Sequence, residues 1–329
     1  MNKNRIVLKE TNKRDAAGFL LFVFLLPYVC ACLWGHVGVD KNALHQNKEQ
    51  EETENVINYE VQADMGWGVW KIPLEEYLVY KLESVIPEEY EKEALKAQAV
   101  LLRTEVVQTL MEEGSERLCV SGDGMDKWYE TDQSVTEELE IYQEAVEETD
   151  GLYLSYQGEP IQASYFKLSN GQTRDAGEMW ESGKYPYLTS VDCIQDKASK
   201  DYSSVVSVSK VNYLYALKPY VEQGYSIEDI WEGMQLDVDD AGYVTNVSFV
   251  SGENMIGQID GEAFRHLFSL PSASFEVNQE KAQIVFHVTG IGHGFGMSQY
   301  SANCMALNGE TYDQILKKFF FGTELAKIE

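Results

Sequence analysis

Glu91-Lys-Glu-Ala-Leu-Lys-Ala-Gln-Ala-Val-Leu-Leu-Arg-Thr-Glu-Val-Val-Gln-Thr-Leu-Met111 is the longest helical pattern in the body of this chain, and the rest arranges itself around it. Leu95, Ala99, Leu102, Val106 and Leu110 recur at helical spacing, predicting a helix from about Tyr90 to Met111 with one buried stripe. The small residues Ala94, Ala97 and Ala99 let a neighbour approach closely. Lys96 and Arg103, seven positions apart, are expected to project together from another side. Pro87 separates this helix from one over about Leu74–Val85, whose apolar residues are Leu74, Tyr77, Leu78, Leu82 and Val85. Before that, Tyr59-Glu-Val-Gln-Ala and Gly66-Trp-Gly-Val-Trp-Lys-Ile read as a hairpin.

After it comes an acidic helix over about Ser134–Glu148, and then strand-like pieces dominate. These are Leu152–Tyr156, Pro160–Phe166, Val205–Ser209, Val244–Val250 and Ala282–Val288. Short helices are expected at Lys210–Tyr220, Ser226–Glu232, Gly261–Phe268, Ser298–Leu307 and Tyr312–Phe319. Without regular βαβ alternation this is an α+β chain, with a mixed sheet core and packed helices. No internal repeat is present.

The chain has 329 residues and a formal net charge of −28, with 44% hydrophobic residues and 12% aromatics, so it is a globular protein and not a disordered one. Phosphate binding needs clustered Lys and Arg, so this acidity argues against a nucleic-acid partner. The acid excess lies in one part. Residues 1–15 are basic, with Lys3, Arg5, Lys9, Lys13 and Arg14 against Glu10 and Asp15. Residues 16–39 hold no charged side chain and centre on Gly18-Phe-Leu-Leu-Phe-Val-Phe-Leu-Leu-Pro27. About 20 apolar residues span a bilayer core as a helix. The expected organisation is therefore a cytoplasmic tip at 1–15, a single transmembrane anchor at 16–39, an acidic tether at 40–58 and an extracytoplasmic domain at 59–329. A cleaved signal peptide is the alternative for 16–39. Cys119, Cys193 and Cys304 allow at most one disulfide among themselves, and no Cys/His spacing suits a metal, so neither metal nor cofactor is expected.

Three motifs stand out. Asp237-Val-Asp-Asp-Ala-Gly242 hints at a calcium loop but lacks the later ligands of one, so it reads as a hairpin turn. Ser169-Asn-Gly-Gln-Thr-Arg174 reads as a polar turn. Gly290-Ile-Gly-His-Gly-Phe-Gly-Met-Ser-Gln-Tyr300 carries four alternate glycines, which strip one edge of an extended segment and let another chain lie against its backbone. Ser298 suits the cap of the following helix. His293, among glycines, has few neighbours to bury it and is expected to touch solvent or ligand.

Taken in order, these segments resemble the stage II sporulation protein D and amidase-enhancer family of cell-wall proteins. The resemblance rests on Leu74-Glu-Glu-Tyr-Leu, Glu93-Ala-Leu-Lys-Ala-Gln-Ala-Val with Arg103-Thr104, Ser169-Asn-Gly-Gln-Thr, Pro186-Tyr-Leu-Thr-Ser-Val191 and Gly292-His-Gly-Phe-Gly-Met-Ser-Gln-Tyr300. Gly309, Tyr312, Ile315-Leu and Phe320-Phe-Gly-Thr complete it. It implies a cleft shared by these motifs, with about 195–280 inserted as a second lobe. It also implies action on peptidoglycan glycan strands during engulfment, beside a cell-wall amidase and other membrane-anchored engulfment proteins. The implied strand-binding residues are Lys96, Gln98, Arg103, Ser169, Thr173, His293, Ser298, Gln299 and Tyr300. Glycan stripped of its peptides keeps lactyl carboxylates, so Lys96, Arg103, Lys167 and Arg174 are expected to form a basic patch at the cleft.

The implied reaction is that of a lytic transglycosylase, in which one carboxylic acid protonates the glycosidic oxygen and the resulting carboxylate takes the proton of the sugar's own C6 hydroxyl. In the family that acid is the Glu of a Glu-Met-Pro, eight residues before the Glu of Glu-Ala-Leu-Lys. Here that position is Val85, with Ile86 at the Met position. Glu83 lies two residues earlier, about 200° round the helix; Glu88 and Glu89 follow Pro87. Two readings result: a glycan-binding or scaffold protein that works with a separate amidase, or an active enzyme with a displaced acid such as Glu83.

Overall fold

The structure is a computed structural model that describes residues 59–114, 117–121, 137–179, 183–225 and 227–328. The expected anchor and tether lie outside the described residues. Among the described residues no helix is long and apolar enough to cross a membrane.

The α+β class holds, and the described chain divides into two compact units. The first unit contains the hairpin β1 (Glu60–Asp64) and β2 (Val69–Pro73) and the strand β3 (Arg117–Ser121), in the order β2-β1-β3. Its turn closes with Met65 N–H donating to the Gly68 carbonyl at 2.9 Å. Helix α1 (Leu74–Val85) starts in this unit and ends in the second.

The second unit contains two hydrophobic cores. The first core surrounds α2 (Lys92–Glu113), which the sequence pattern endowed with one buried stripe. Instead its middle is buried on every side: Ala94, Ala97, Val100 and Leu101 are inside as fully as Leu95, Ala99 and Leu102. Helix α3 (Glu137–Glu147) and strand β4 (Leu152–Tyr156) pack on it, and so do α8 (Gln299–Leu307) and α9 (Tyr312–Phe319). Enclosure from so many directions explains the run of small and aliphatic residues, because a helix hydrophobic all round is a buried one. β4 pairs antiparallel with β5 (Glu159–Pro160) and with the last strand, Glu324–Lys327.

The second core is aromatic. Phe264 sits 4.7 Å from Phe268 and 5.6 Å from Phe275, centroid to centroid, and Phe275 meets Phe286 edge-on at 5.5 Å. Such offset and edge-on contacts suit the ring quadrupole. Two antiparallel three-stranded sheets frame this core. One orders Asn254–Asp260, Val244–Ser251 and Met234–Val238; the other orders Phe275–Gln279, Gln283–Thr289 and Ser203–Ser209. Asp237–Gly242 is a hairpin turn as expected, with Gly242 N–H donating to the Asp239 carbonyl at 2.9 Å.

The glycine segment behaves as its spacing implied. Gly290, Gly292, Gly294 and Gly296 all have positive φ; the chain from Ser164 to Asn170 runs against Gly290, Gly292 and Gly296, while Gly294 faces Tyr243 and Arg174. A Cβ on Gly296 would sit 2.0 Å from the Ser164 carbonyl oxygen, and one on Gly292 would sit 2.6 Å from Phe166 Cβ. Met297–Ser298 then pairs in parallel with Tyr165–Phe166. Ser298 caps α8, its Oγ accepting from Ser301 N–H.

Candidate functional site

The site is assembled from three pieces: the end of α1, the α2 motif that soon follows it, and the glycine segment about 200 residues later. At the end of α1, the Val85 carbonyl accepts a hydrogen bond from Gln299 Nε2 at 2.9 Å. The same nitrogen lies 3.1 Å from Gln98 Oε1 on α2. Gln98 and Gln299 are both buried, while Val85 is half-buried. Gln98 Nε2 is buried with no partner in the structure. The chain position expected to carry the acid is therefore tied to both motifs, and it carries a valine.

Glu83 is half-buried on α1. Its charge acts, with those of Glu88 and Glu89, on Tyr142; burial first and then these three carboxylates push the phenol up to about 12. Tyr142 donates its O–H to the Ile86 carbonyl at 3.0 Å. Gln299 meets α1 two residues beyond Glu83.

The expected basic patch does not form, and the reasons differ residue by residue. Arg103 is fully buried, its guanidinium donating to the Leu152 carbonyl at 3.0 Å and the Val146 carbonyl at 3.4 Å. It closes the α3–β4 connection from inside, so it does not share an outward side with Lys96. Arg174 is also buried. Its Nε lies 2.6 Å from Asp239 Oδ2, Nη1 lies 3.4 Å from Glu262 Oε1, and its plane rests against Tyr243 and Phe295. Lys96 keeps 11% of its side chain exposed and binds Glu93 at 2.7 Å and Glu148 at 3.3 Å, with the Tyr312 ring 4.6 Å away. Burial works to lower its pKa, but the hydrogen bonds and charges of Glu93 and Glu148 outweigh that and hold it above the ordinary value. Glu93 also accepts from Tyr312 N–H at 2.7 Å, so this motif fastens α2 to the first turn of α9. Lys167 is half-exposed, 3.5 Å from Asp201.

His293 is likewise committed. Phe295 N–H donates to its Nδ1 at 3.1 Å, which leaves Nε2–H to donate to the Tyr165 carbonyl at 3.0 Å. Phe166 and Phe295 flank the ring. Burial, then the charge of Arg265, pull its pKa down to about 4 against the Tyr165 bond, with Arg174 adding to the fall. The imidazole is neutral at physiological pH, and both its nitrogens serve the fold. The side chain is half-buried, so part of the expected exposure remains, while both ring nitrogens are taken by backbone.

Ser169, Thr173 and Ser298 are buried. The organising group is one that sequence reasoning missed, Asp196, on the 3-10 turn Ile194–Ala198. Its fully buried carboxylate accepts from Ser169 N–H at 2.7 Å, Ser298 Oγ at 2.7 Å and Ser301 Oγ at 2.6 Å. Three donors on one buried carboxylate satisfy its oxygens and bind the three segments together. Neighbouring Cys193 is pushed up to about 12, chiefly by burial, and is a thiol. None of Cys119, Cys193 and Cys304 forms a disulfide. Thr173 Oγ1 accepts from Val191 N–H at 2.8 Å, joining the polar turn to the Pro186–Val191 motif. Tyr300 is half-buried beside Cys304. No group of His, Cys, Asp and Glu among the described residues could hold a metal ion. No spacing rule singles out Asp196 among 54 acids, because its partners come from two segments distant from it and from each other.

The profile described as Stage II sporulation protein matches residues 65–156. Stage II sporulation protein D of Bacillus subtilis (strain 168) is 30% identical over 285 residues, covering 83% of this chain and 80% of the relative. The protein of the same name from Bacillus amyloliquefaciens is 30% identical over 302 residues, covering 88% and 85%. The amidase enhancer of Bacillus subtilis (strain 168) is 24% identical over 299 residues, covering 74% of this chain and 40% of that protein. Sequence motifs, their assembly around Val85, and this coverage agree: the chain belongs to the stage II sporulation protein D family.

Proposed function

We propose that this chain is a membrane-anchored, exported protein of sporulation that binds peptidoglycan glycan strands and does not itself cut them. The observation that carries the reading is Val85, held by Gln299 beside Gln98 where the resemblance calls for the acid. A valine cannot protonate a glycosidic oxygen, and without that proton the leaving sugar has no low-energy exit. The preserved polar motifs and sporulation-named relatives support a role in wall remodelling, and the relative named amidase enhancer supports work beside an amidase. The apolar stretch 16–39 supports an anchored protein with a cytoplasmic N-terminus. The test is incubation of full-length protein in detergent with denuded glycan strands, followed by co-sedimentation and mass spectrometry. Strand binding without anhydro-sugar products is expected.

The second reading is cleavage with Glu83 as a displaced acid. It draws support from the half-buried placement of Glu83 at the same end of α1. Anhydro-sugar product from the wild type that disappears in Glu83→Gln would establish it and remove the first reading.

A further inference from the structure

We infer that Lys197 selects carboxylate-bearing sugar strands over neutral ones; this rests on the strand-binding reading above and adds the residue that sets its specificity. The basic residues expected to meet the ligand are consumed by the fold: Arg103 by carbonyls, Arg174 by Asp239 and Glu262, Lys96 by Glu93 and Glu148. Lys167 faces Asp201. Lys197 is exposed and, among the described residues, has no carboxylate within ion-pairing distance.

Its stem also lies against the fold. Lys197 lies along Gly171, the tip of the polar turn: a Cβ there would sit 2.3 Å from Lys197 Cε and 3.2 Å from Nζ. Gly171 has φ +114°, so the position both requires glycine and leaves the shelf on which the lysine stem rests. The backbone beneath is tied from both sides. Cys193 N–H donates to the Gly171 carbonyl at 2.9 Å, and Asp196, one residue before Lys197, accepts from Ser169 N–H. A cation carried on backbone that is already fixed loses less freedom on binding than one on a loose loop. On a chain of net charge −28 the surrounding field repels carboxylates, so one uncompensated ammonium decides whether an anionic strand is tolerated at this turn.

The ligand chemistry follows: a glycan whose sugars carry ether-linked carboxylates, as opposed to a neutral strand of the same linkage. The test compares binding of denuded peptidoglycan strands with length-matched chitin oligosaccharides at low and high salt, using the full-length protein in detergent. Wild type is expected to prefer the carboxylated strand about fivefold at low salt, the scale of one exposed ion pair. High salt erases the preference. Lys197→Gln loses it while binding chitin unchanged, Lys197→Arg keeps it, and Lys281→Gln, an exposed control, keeps it. Matching melting curves confirm that the variants fold. A Lys197→Gln variant with the full preference, an equal loss in Lys281→Gln, or no preference in wild type overturns the inference alone. Wild type that binds neither strand overturns the strand-binding reading and this inference together.

Discussion

The side-chain amide of Gln299 donates to the backbone carbonyl of Val85 at 2.9 Å, across 214 positions of chain. That bond fixes the end of α1 whatever side chain residue 85 carries, which is how the site keeps its form without an acid. Gln299→Leu strips the donor from both Val85 and Gln98. We expect a loss of about 1–3 kcal/mol in urea unfolding, the cost of leaving buried acceptors unmade. An unchanged midpoint and slope would show that the amide pair is dispensable.

Arg103→Met keeps the volume of a buried side chain and removes its donors from Leu152 and Val146. A loss of about 1–3 kcal/mol is expected, because the Leu152 carbonyl loses this donor while the Val146 carbonyl keeps only Thr149. The loss is nearly independent of salt, since the guanidinium is shielded from solvent. A surface role in glycan binding would instead leave stability intact and change affinity.

Gly296→Ala meets the Ser164 carbonyl at 2.0 Å and places a side chain at φ +76°. Backbone stands on the other side, so nothing flexible can yield. The expected cost is at least about 3 kcal/mol, read as a fall in Tm or as failure to accumulate folded protein. A variant as stable as wild type would mean that the two segments do not run in contact.

His293 is a base whose folded pKa is pulled down to about 4 by burial and by nearby Arg265 and Arg174. Its unfolded pKa is about 6.5. Between those values the unfolded chain takes up a proton that the folded chain refuses. Stability from this group is therefore full above the window and falls as pH drops through it, by up to about 1.4 kcal/mol per pH unit. Thermal melts from pH 7 to 4 check this: His293→Gln should show a shallower decline than wild type, and parallel declines would refute the assignment.

Lys96→Ala should lower stability by about 1–3 kcal/mol through Glu93 and Glu148, which would lose a partly buried partner. Its effect on glycan affinity should be small beside that of Lys197→Gln. Equal binding losses in both variants would return Lys96 to the ligand.

The α+β class, most helices and the hairpin turn at Asp237–Gly242 were legible because they depend on local periodicity and turn chemistry. The glycine segment was legible too, since alternate glycines have a strong physical cause at close backbone approach. The role of α2 was misread on one point. A stripe of Leu and Ala implies one buried face, whereas the packing of α3, β4, α8 and α9 buries nearly the whole circumference, Arg103 included. The valine at 85 was visible as a missing acid; that its carbonyl anchors Gln299 was not.

By itself the amino-acid sequence determined the class of fold, the family and the identity of every polar group available to the site. Which of those groups are buried and paired was decided only by tertiary structure. Charge and motif are properties of single segments, but burial and pairing depend on what other segments bring: Leu152 to Arg103, Asp239 to Arg174, Tyr165 to His293. A cation read as a ligand contact becomes part of the scaffold when a carbonyl or carboxylate from elsewhere reaches it first, because an unpaired buried charge costs more than any surface contact returns. Lys197, unremarkable in sequence, has no ion-pairing carboxylate among the described residues.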